Sequence, residues 1–172
     1  VIVYRELGWK DVLNALFETA RDSAGILCII CGAAAFSWLV TMLGITQAMS
    51  NALVSLTDNK YIMLLILNIA FLLIGMFMEA LAAMTITLPF LIPLMGVYGI
   101  DPLHLGVVLV LNLMIGLCTP PVGTSLFICA KSAGITIEKM YKAILPFLIP
   151  LLIVLFLITY VPGLVTWLPS MM

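Results

Sequence analysis

The hexapeptide Thr119-Pro120-Pro121-Val122-Gly123-Thr124 interrupts an otherwise apolar run from 103 to 133. Adjacent prolines remove two backbone donors and exclude a continuous helix at that point. A helix broken inside an apolar medium frees carbonyls at the end of its first half and amides at the start of its second. The carbonyls are hard oxygen ligands suited to Na⁺, and the amides suit an anionic carboxylate. The candidate ion ligands here are Cys118, Thr119, Pro120, Val122, Gly123 and Thr124, with the hydroxyls of Thr119, Thr124 and Ser125 close by. The alternative is a proline kink that only shapes packing.

A second group precedes it. Glu79 is the only ionisable side chain between Tyr61 and Asp101 apart from the tyrosines, and acids within apolar segments usually face a cavity or a partner. It either organises a chain break beside it, caps the helix that follows, or sits at a surface. The stretch from Ala80 to Thr87 offers backbone carbonyls, those of Ala80 and Ala83 among them, together with the hydroxyls of Thr85 and Thr87. Two breaks facing one another could bind a small cation without any formal charge. Asn112 stands seven residues before Thr119 and shares its helical face; it lines a cavity or makes an interhelical hydrogen bond. Asn112, Thr87 and Ser125 are the candidates for a substrate cavity.

Other reactive residue types carry less. His104 follows a Gly-Ile-Asp-Pro turn and reads as an interfacial or capping side chain. Cys28-x-x-Cys31 has no second pair and no nearby histidine, so packing is preferred to zinc. Neither a Ser/His/Asp set, a phosphate loop nor H-E-x-x-H occurs, which disfavours an enzyme.

The elements that must hold these residues are apolar. The 172 residues are 65% hydrophobic and 9% charged, with a net charge of −1. Soluble domains carry about 25% charged residues, and apolar runs of about 20 residues cross a bilayer, so lipid is the solvent and nucleic acid is excluded as a partner. The fold class is an all-α membrane protein. Residues 1–22 read as an amphipathic arm in the headgroup plane, or else a plain linker helix. Residues 23–45 are a scaffold transmembrane helix, followed by a loop. Residues 61–98 read as a re-entrant helical hairpin, because the limb from Thr85 to Tyr98 is 14 residues, about 21 Å and short for a crossing. Residues 103–133 form a broken transmembrane helix, 135–143 a short connector and 145–168 a C-terminal span. This topology places Arg5, Lys10, Arg21, Lys131, Lys139 and Lys142 on one side and Lys60 on the other, which predicts a cytoplasmic N-terminus and a periplasmic C-terminus. The opening Val1-Ile2-Val3 reads as the start of the C-terminal part of a longer polypeptide.

The spaced set Gly75-Met-Phe-Met-Glu79, Thr87-Leu-Pro89, Pro93, Gly99-Ile-Asp-Pro102, Leu113-Met-Ile-Gly116-Leu-Cys-Thr119-Pro-Pro-Val-Gly123 and Tyr160-Val-Pro162 resembles the large membrane subunit of the tripartite ATP-independent periplasmic (TRAP) transporters, in its C-terminal half. Glu79 stands where that family more often has aspartate. The resemblance implies an elevator-type transporter built from inverted repeats in the bacterial inner membrane. It implies Na⁺ as coupling ion and organic carboxylates such as C4-dicarboxylates or sialic acid as cargo. The partners it implies are a small four-helix membrane subunit, a periplasmic substrate-binding protein and the N-terminal half of the same subunit. Carried over, residues Glu79–Thr85 and Thr119–Thr124 would build a sodium site. The competing readings are a carrier that needs no binding protein and a non-transporting scaffold subunit.

Overall fold

The computed structural model describes residues 8–120, 122–167 and 169–171. Helix α1 runs without interruption from Trp9 to Met42. Its start is fixed by Asp11, whose carboxylate accepts from the Gly8 amide at 2.8 Å. It stops where Gly44 turns left-handed at φ +70°. The arm expected over 1–22 and the span expected over 23–45 are therefore one helix over the described residues. Nothing between Asp22 and Ser23 removes a donor or forces φ positive, so the change from charged to apolar composition leaves the backbone unaffected.

The stretch expected to be a loop contains a second helix, α2 (Ile45–Leu56). Asn59 then caps α3 (Lys60–Phe77), its side-chain oxygen accepting from the Tyr61 amide at 2.9 Å. After Met78 and Glu79 the chain returns as α4 (Ala80–Tyr98). The open ends of this pair meet: Lys60 Nζ donates to the Gly99 carbonyl at 3.1 Å, and the Tyr98 hydroxyl donates to the Thr57 carbonyl. Residues 60–98 are thus a helical hairpin with its turn at Met78–Glu79. The short second limb is corrected: α4 has 19 residues, not 14, and α3 and α4 are each long and apolar enough to cross a membrane.

Helix α5 (Pro102–Leu117) starts at Asp101, whose carboxylate accepts from the His104 amide at 3.0 Å. After the break comes α6 (Thr124–Ala133), ended by Gly134 at φ +65°. Helix α7 is continuous from Ile137 to Tyr160, and α8 (Gly163–Thr166) and a final 3₁₀ turn at Pro169–Met171 follow. The connector expected at 135–143 is the beginning of α7, and the last span ends at Tyr160 rather than 168; Leu168 lies outside the described residues.

Pro146 and Pro150 lie inside α7, as Pro89 and Pro93 lie inside α4. The heptapeptide Leu-Pro-Phe-Leu-Ile-Pro-Leu occurs at both places, 88–94 and 145–151. Each proline removes the bond to the carbonyl four residues back. With the pair four apart, the second missing bond falls on the carbonyl of the first proline, so the damage stays on one face. The opposite face carries Leu91, Leu94 and Leu148 into buried contacts, and in membranes neighbouring helices make such interruptions tolerable.

The core lies between the hairpin and α5. Met63, Leu64, Leu67 and Phe71 of α3, Ala80, Ala83, Leu91 and Leu94 of α4, and Leu105, Leu109 and Leu113 of α5 form one buried cluster. Long apolar side chains elsewhere, such as Leu27, Trp38, Phe77 and Phe147, are exposed, as lipid-facing residues are. Among the described residues four helices meet the length and hydropathy of a membrane span: α1, α3, α4 and α7.

Candidate functional site

Helices α3 and α5 run side by side in the same direction. Near their starts, Lys60 reaches the Gly99 carbonyl just before α5; further along, Asn112 Nδ2 donates to Asn68 Oδ1 at 2.6 Å. Beyond that, Gly75 and Gly116 meet backbone to backbone. A Cβ on Gly116 would lie 2.8 Å from Gly75 Cα, and one on Gly75 would lie 2.9 Å from Leu113 Cα. Parallel packing brings the two interruptions, Met78–Glu79 and Cys118–Gly123, to the same end of the bundle. Met78 and Leu117, one before each break, pack on the same core cluster.

Helix α7 returns antiparallel to α5. Its Ile158 carbonyl is 2.8 Å from His104 Nε2, and its Ile144 and Leu148 sit with Cys118 and Ile115. Seven residues of α7 precede Ile144, a rise of about 10 Å. The break after α5 therefore lies well inside the length of α7, with α6 continuing beside its first turns.

At the hairpin turn, Glu79 has the capping role. One carboxylate oxygen accepts from the Leu81 amide at 2.9 Å and the Ala82 amide at 3.2 Å, satisfying two donors that a helix start leaves open. Helix α4 consequently begins at once, so that Ala80, Ala83 and Thr85, expected as ligands of the hairpin tip, stand within helix. The Leu81 carbonyl accepts from Thr85 Oγ1 and the Ala83 carbonyl from Thr87 Oγ1, both at 2.8 Å. Ala80 and Ala83 are buried against the core rather than exposed at the turn. Replacing Glu79 by alanine should destabilise the protein by about 1 kcal/mol and by glutamine less, since the amide oxygen still accepts; paired thermal melts in detergent check this.

At the other break, Thr119 Oγ1 donates to the Ile115 carbonyl at 2.7 Å, holding the hydroxyl against the last turn of α5. The Cys118 and Thr119 amides close that turn onto Ile115 and Gly116. Gly123 is buried at φ +47°, ψ 72°. A Cβ there would lie 3.0 Å from the Thr119 carbonyl oxygen and 3.2 Å from that of Leu117, so two carbonyls from the end of α5 converge on the start of α6. Cys118, Pro120, Val122 and Ser125 around them are partly buried. Pro121 and the side chain of Thr124 lie outside the described residues.

The substrate-cavity candidates do not come together. Thr87 is buried with its hydroxyl bonded to its own helix, against an apolar pocket lined by Met49, Phe71, Ile74 and Phe90. Asn112 is fully buried and takes the interhelical alternative, its amide donating to Asn68 and, at 2.9 Å, to the Val108 carbonyl. Asn68 in turn donates to Thr159 Oγ1 at 3.0 Å, and Thr159 donates to the Leu155 carbonyl at 2.7 Å. This triad joins α3, α5 and α7 through buried polar groups, and Asn112 Oδ1 is left without a hydrogen-bond partner. His104 is buried and bonded to α7, not interfacial. Cys28 and Cys31 are exposed free thiols on α1.

Sequence reasoning did not find the Gly75–Gly116 contact or the role of Asn68. The signal was present as spacing: Asn68 and Gly75 are seven apart and Asn112 and Gly116 four apart, so each pair lies on one helical face.

All-helical secondary structure among the described residues, with four helices long and apolar enough to cross a membrane, defines a membrane-embedded protein. The family model for "Tripartite ATP-independent periplasmic transporter, DctM component" matches residues 1–164. The chain belongs to that family, the large permease components of TRAP transporters. It is 34% identical over 170 residues to the sialic acid TRAP transporter large permease protein SiaM of Vibrio cholerae, covering 99% of this chain and 40% of that protein. It is 37% identical to the C4-dicarboxylate TRAP transporter large permease protein DctM of Rhodobacter capsulatus, covering all of this chain and 39% of the relative. To the isethionate TRAP transporter permease protein DctMQ of Oleidesulfovibrio alaskensis it is 38% identical over 94% of this chain and 25% of the relative. The chain thus spans about 40% of the length of the large permease proteins it matches.

Proposed function

We propose that this chain forms the ion-binding C-terminal half of a TRAP large permease that imports small organic acids with Na⁺ across the bacterial inner membrane. The observation that carries the reading is the placement of the two helix interruptions at one end of α3 and α5, the second of them beside Ile144, about 10 Å inside the length of α7. If α7 spans the bilayer, both breaks lie within its depth, where exposed carbonyls are tolerated only against protein or a watery cavity. The Leu117 and Thr119 carbonyls that converge on Gly123, with the Thr119 hydroxyl, are the oxygens offered to a desolvated cation, and the Met78–Glu79 turn stands at the same end of the bundle.

The names of the relatives, which mention sialic acid, C4-dicarboxylates, isethionate and 2,3-diketo-L-gulonate, share an acidic organic solute. The amide end of α6 presents backbone N–H groups of a helix start and is suited to the anionic group of such a cargo. Helix α7 is tied to α3 and α5 by the Asn68–Asn112–Thr159 triad and His104, so these elements move as one elevator body, with α1 and α2 carried on the α4 side. A periplasmic binding protein delivers the solute and a small membrane subunit braces the scaffold. Lys139 and Lys142 lie beyond the break end and Lys60 at the opposite end, which fits the break end and the N-terminus facing the cytoplasm.

The test is uptake of radiolabelled succinate and of sialic acid into proteoliposomes holding the complete permease, its small subunit and the binding protein. An inward NaCl gradient is compared with choline chloride. Uptake should require Na⁺ and the binding protein, and should be lost when Thr119→Ala is combined with Gly123→Ala. Equal uptake in choline chloride would falsify the coupling.

A further inference from the structure

The contact between Gly75 and Gly116 lies immediately before both interruptions: two residues separate Gly75 from Met78, and one separates Gly116 from Cys118. Its tightness is backbone against backbone. A Cβ on Gly75 would meet Leu113 Cα and its carbonyl oxygen at 2.9 Å and Gly116 Cα at 3.3 Å. One on Gly116 would meet Gly75 C and Cα at 2.8 Å and the Leu72 carbonyl oxygen at 2.9 Å. No rotamer change can relieve such an approach, because none of the atoms met belongs to a side chain. Any larger residue must push α3 and α5 apart, and small residues at such crossings are what let helices in lipid approach closely.

We propose that Gly75 and Gly116 act as positioning residues, setting the separation of the hairpin turn from the α5–α6 break and thereby the fit of the cation held between them. The inference rests on the ion-binding reading above and adds its geometric determinant. A functional constellation must be held to within about 0.5 Å. Restoring ordinary contact distance at either glycine would move one helix by a comparable amount, with Leu117 and Thr119 one and three positions beyond Gly116 and the hairpin turn three and four beyond Gly75. A purely structural role predicts a different outcome: loss of stability with no change in the affinity of the molecules that survive.

The experiment measures the Na⁺ dependence of thermal unfolding and of uptake in the complete permease, with NaCl replaced by choline chloride at constant ionic strength. The variants are Gly75→Ala and Gly116→Ala, with Gly106→Ala as control. Gly106 is in α5 too, but a Cβ there meets nothing within 4 Å. The expected result is a rise of at least about tenfold in half-saturating Na⁺ for Gly75→Ala and Gly116→Ala, and wild-type behaviour for Gly106→Ala. Unchanged half-saturation in both, whatever their melting temperature, overturns the proposal.

Should both variants fail to fold, hydrogen exchange on the wild type decides. Na⁺ is expected to protect the amides of 74–79 and of 113–123 together, and protection of only one segment overturns the proposal. Absence of any Na⁺ effect in the wild type brings down the ion-binding reading itself. A clear wild-type effect that leaves the glycine variants unshifted brings down this inference alone.

Discussion

Gly123→Ala should lower Na⁺-driven uptake by at least about 100-fold, whereas Gly134→Ala should leave it within about threefold of wild type after correction for protein amount. The two glycines share a left-handed backbone, at φ +47° and +65°. A Cβ in that region costs about 1–2 kcal/mol at either position. They differ in what the added carbon meets. At Gly134 nothing lies within 4 Å, while at Gly123 the Thr119 and Leu117 carbonyl oxygens lie at 3.0 and 3.2 Å. Those oxygens are the proposed cation ligands, and a methyl group between them both displaces them and occupies the space between. Comparing initial uptake rates with melting temperatures for the pair separates backbone strain from interference at the break. Similar uptake losses in the two variants would remove Gly123 from the site.

Asn68→Ala should reduce the free energy of unfolding by about 2–3 kcal/mol, lowering the melting temperature in detergent by several degrees. Asn68 is the hub of the buried triad, receiving from Asn112 and donating to Thr159. Interhelical polar bonds in membrane proteins contribute about 0.6 kcal/mol on average and up to about 1.7. Two such bonds vanish, and a void remains between three helices whose surroundings are close-packed. The loss is limited because Asn112 keeps the Val108 carbonyl and Thr159 keeps that of Leu155. Thr159→Val removes one bond with little change of volume and should cost about 1 kcal/mol. Denaturant titrations of both variants in the same micelle provide the measurement, and an Asn68→Ala value within 0.5 kcal/mol of zero would mean that α7 is held by apolar contact alone.

The sequence made the second break legible because two prolines in succession leave no helical solution and a glycine beyond them supplies the left-handed turn. The hairpin was legible as a reversal around Glu79, but not its extent. Its second limb begins at Ala80 rather than Thr85 because alanine is the best helix former and the Glu79 carboxylate serves two amides. The last span is expected eight residues too late because Pro146 and Pro150 resemble a helix start, whereas their spacing of four confines the lost bonds to one face and α7 begins at Ile137. The division of α1 at residue 22 followed a change of solvent, which composition records, rather than a change of backbone, which it does not. The Gly75–Gly116 crossing lies 41 residues apart in sequence, and only the register of α3 against α5 makes the two neighbours.

The continuity of α1 has a mechanical consequence. Its 34 residues make a rod of about 51 Å, against about 30 Å of hydrocarbon. Hiding the whole rod by tilt would need more than 50°, beyond the range of about 0–40° seen for membrane helices. The charged portion with Lys10, Asp11, Glu18, Arg21 and Asp22 therefore stands outside the lipid as a stiff handle, joined without a hinge to the part whose Ala33 and Val40 are buried. A displacement of α4 against its surroundings would swing that handle through an arc in water, and whatever grips it would resist or drive the motion from outside the bilayer.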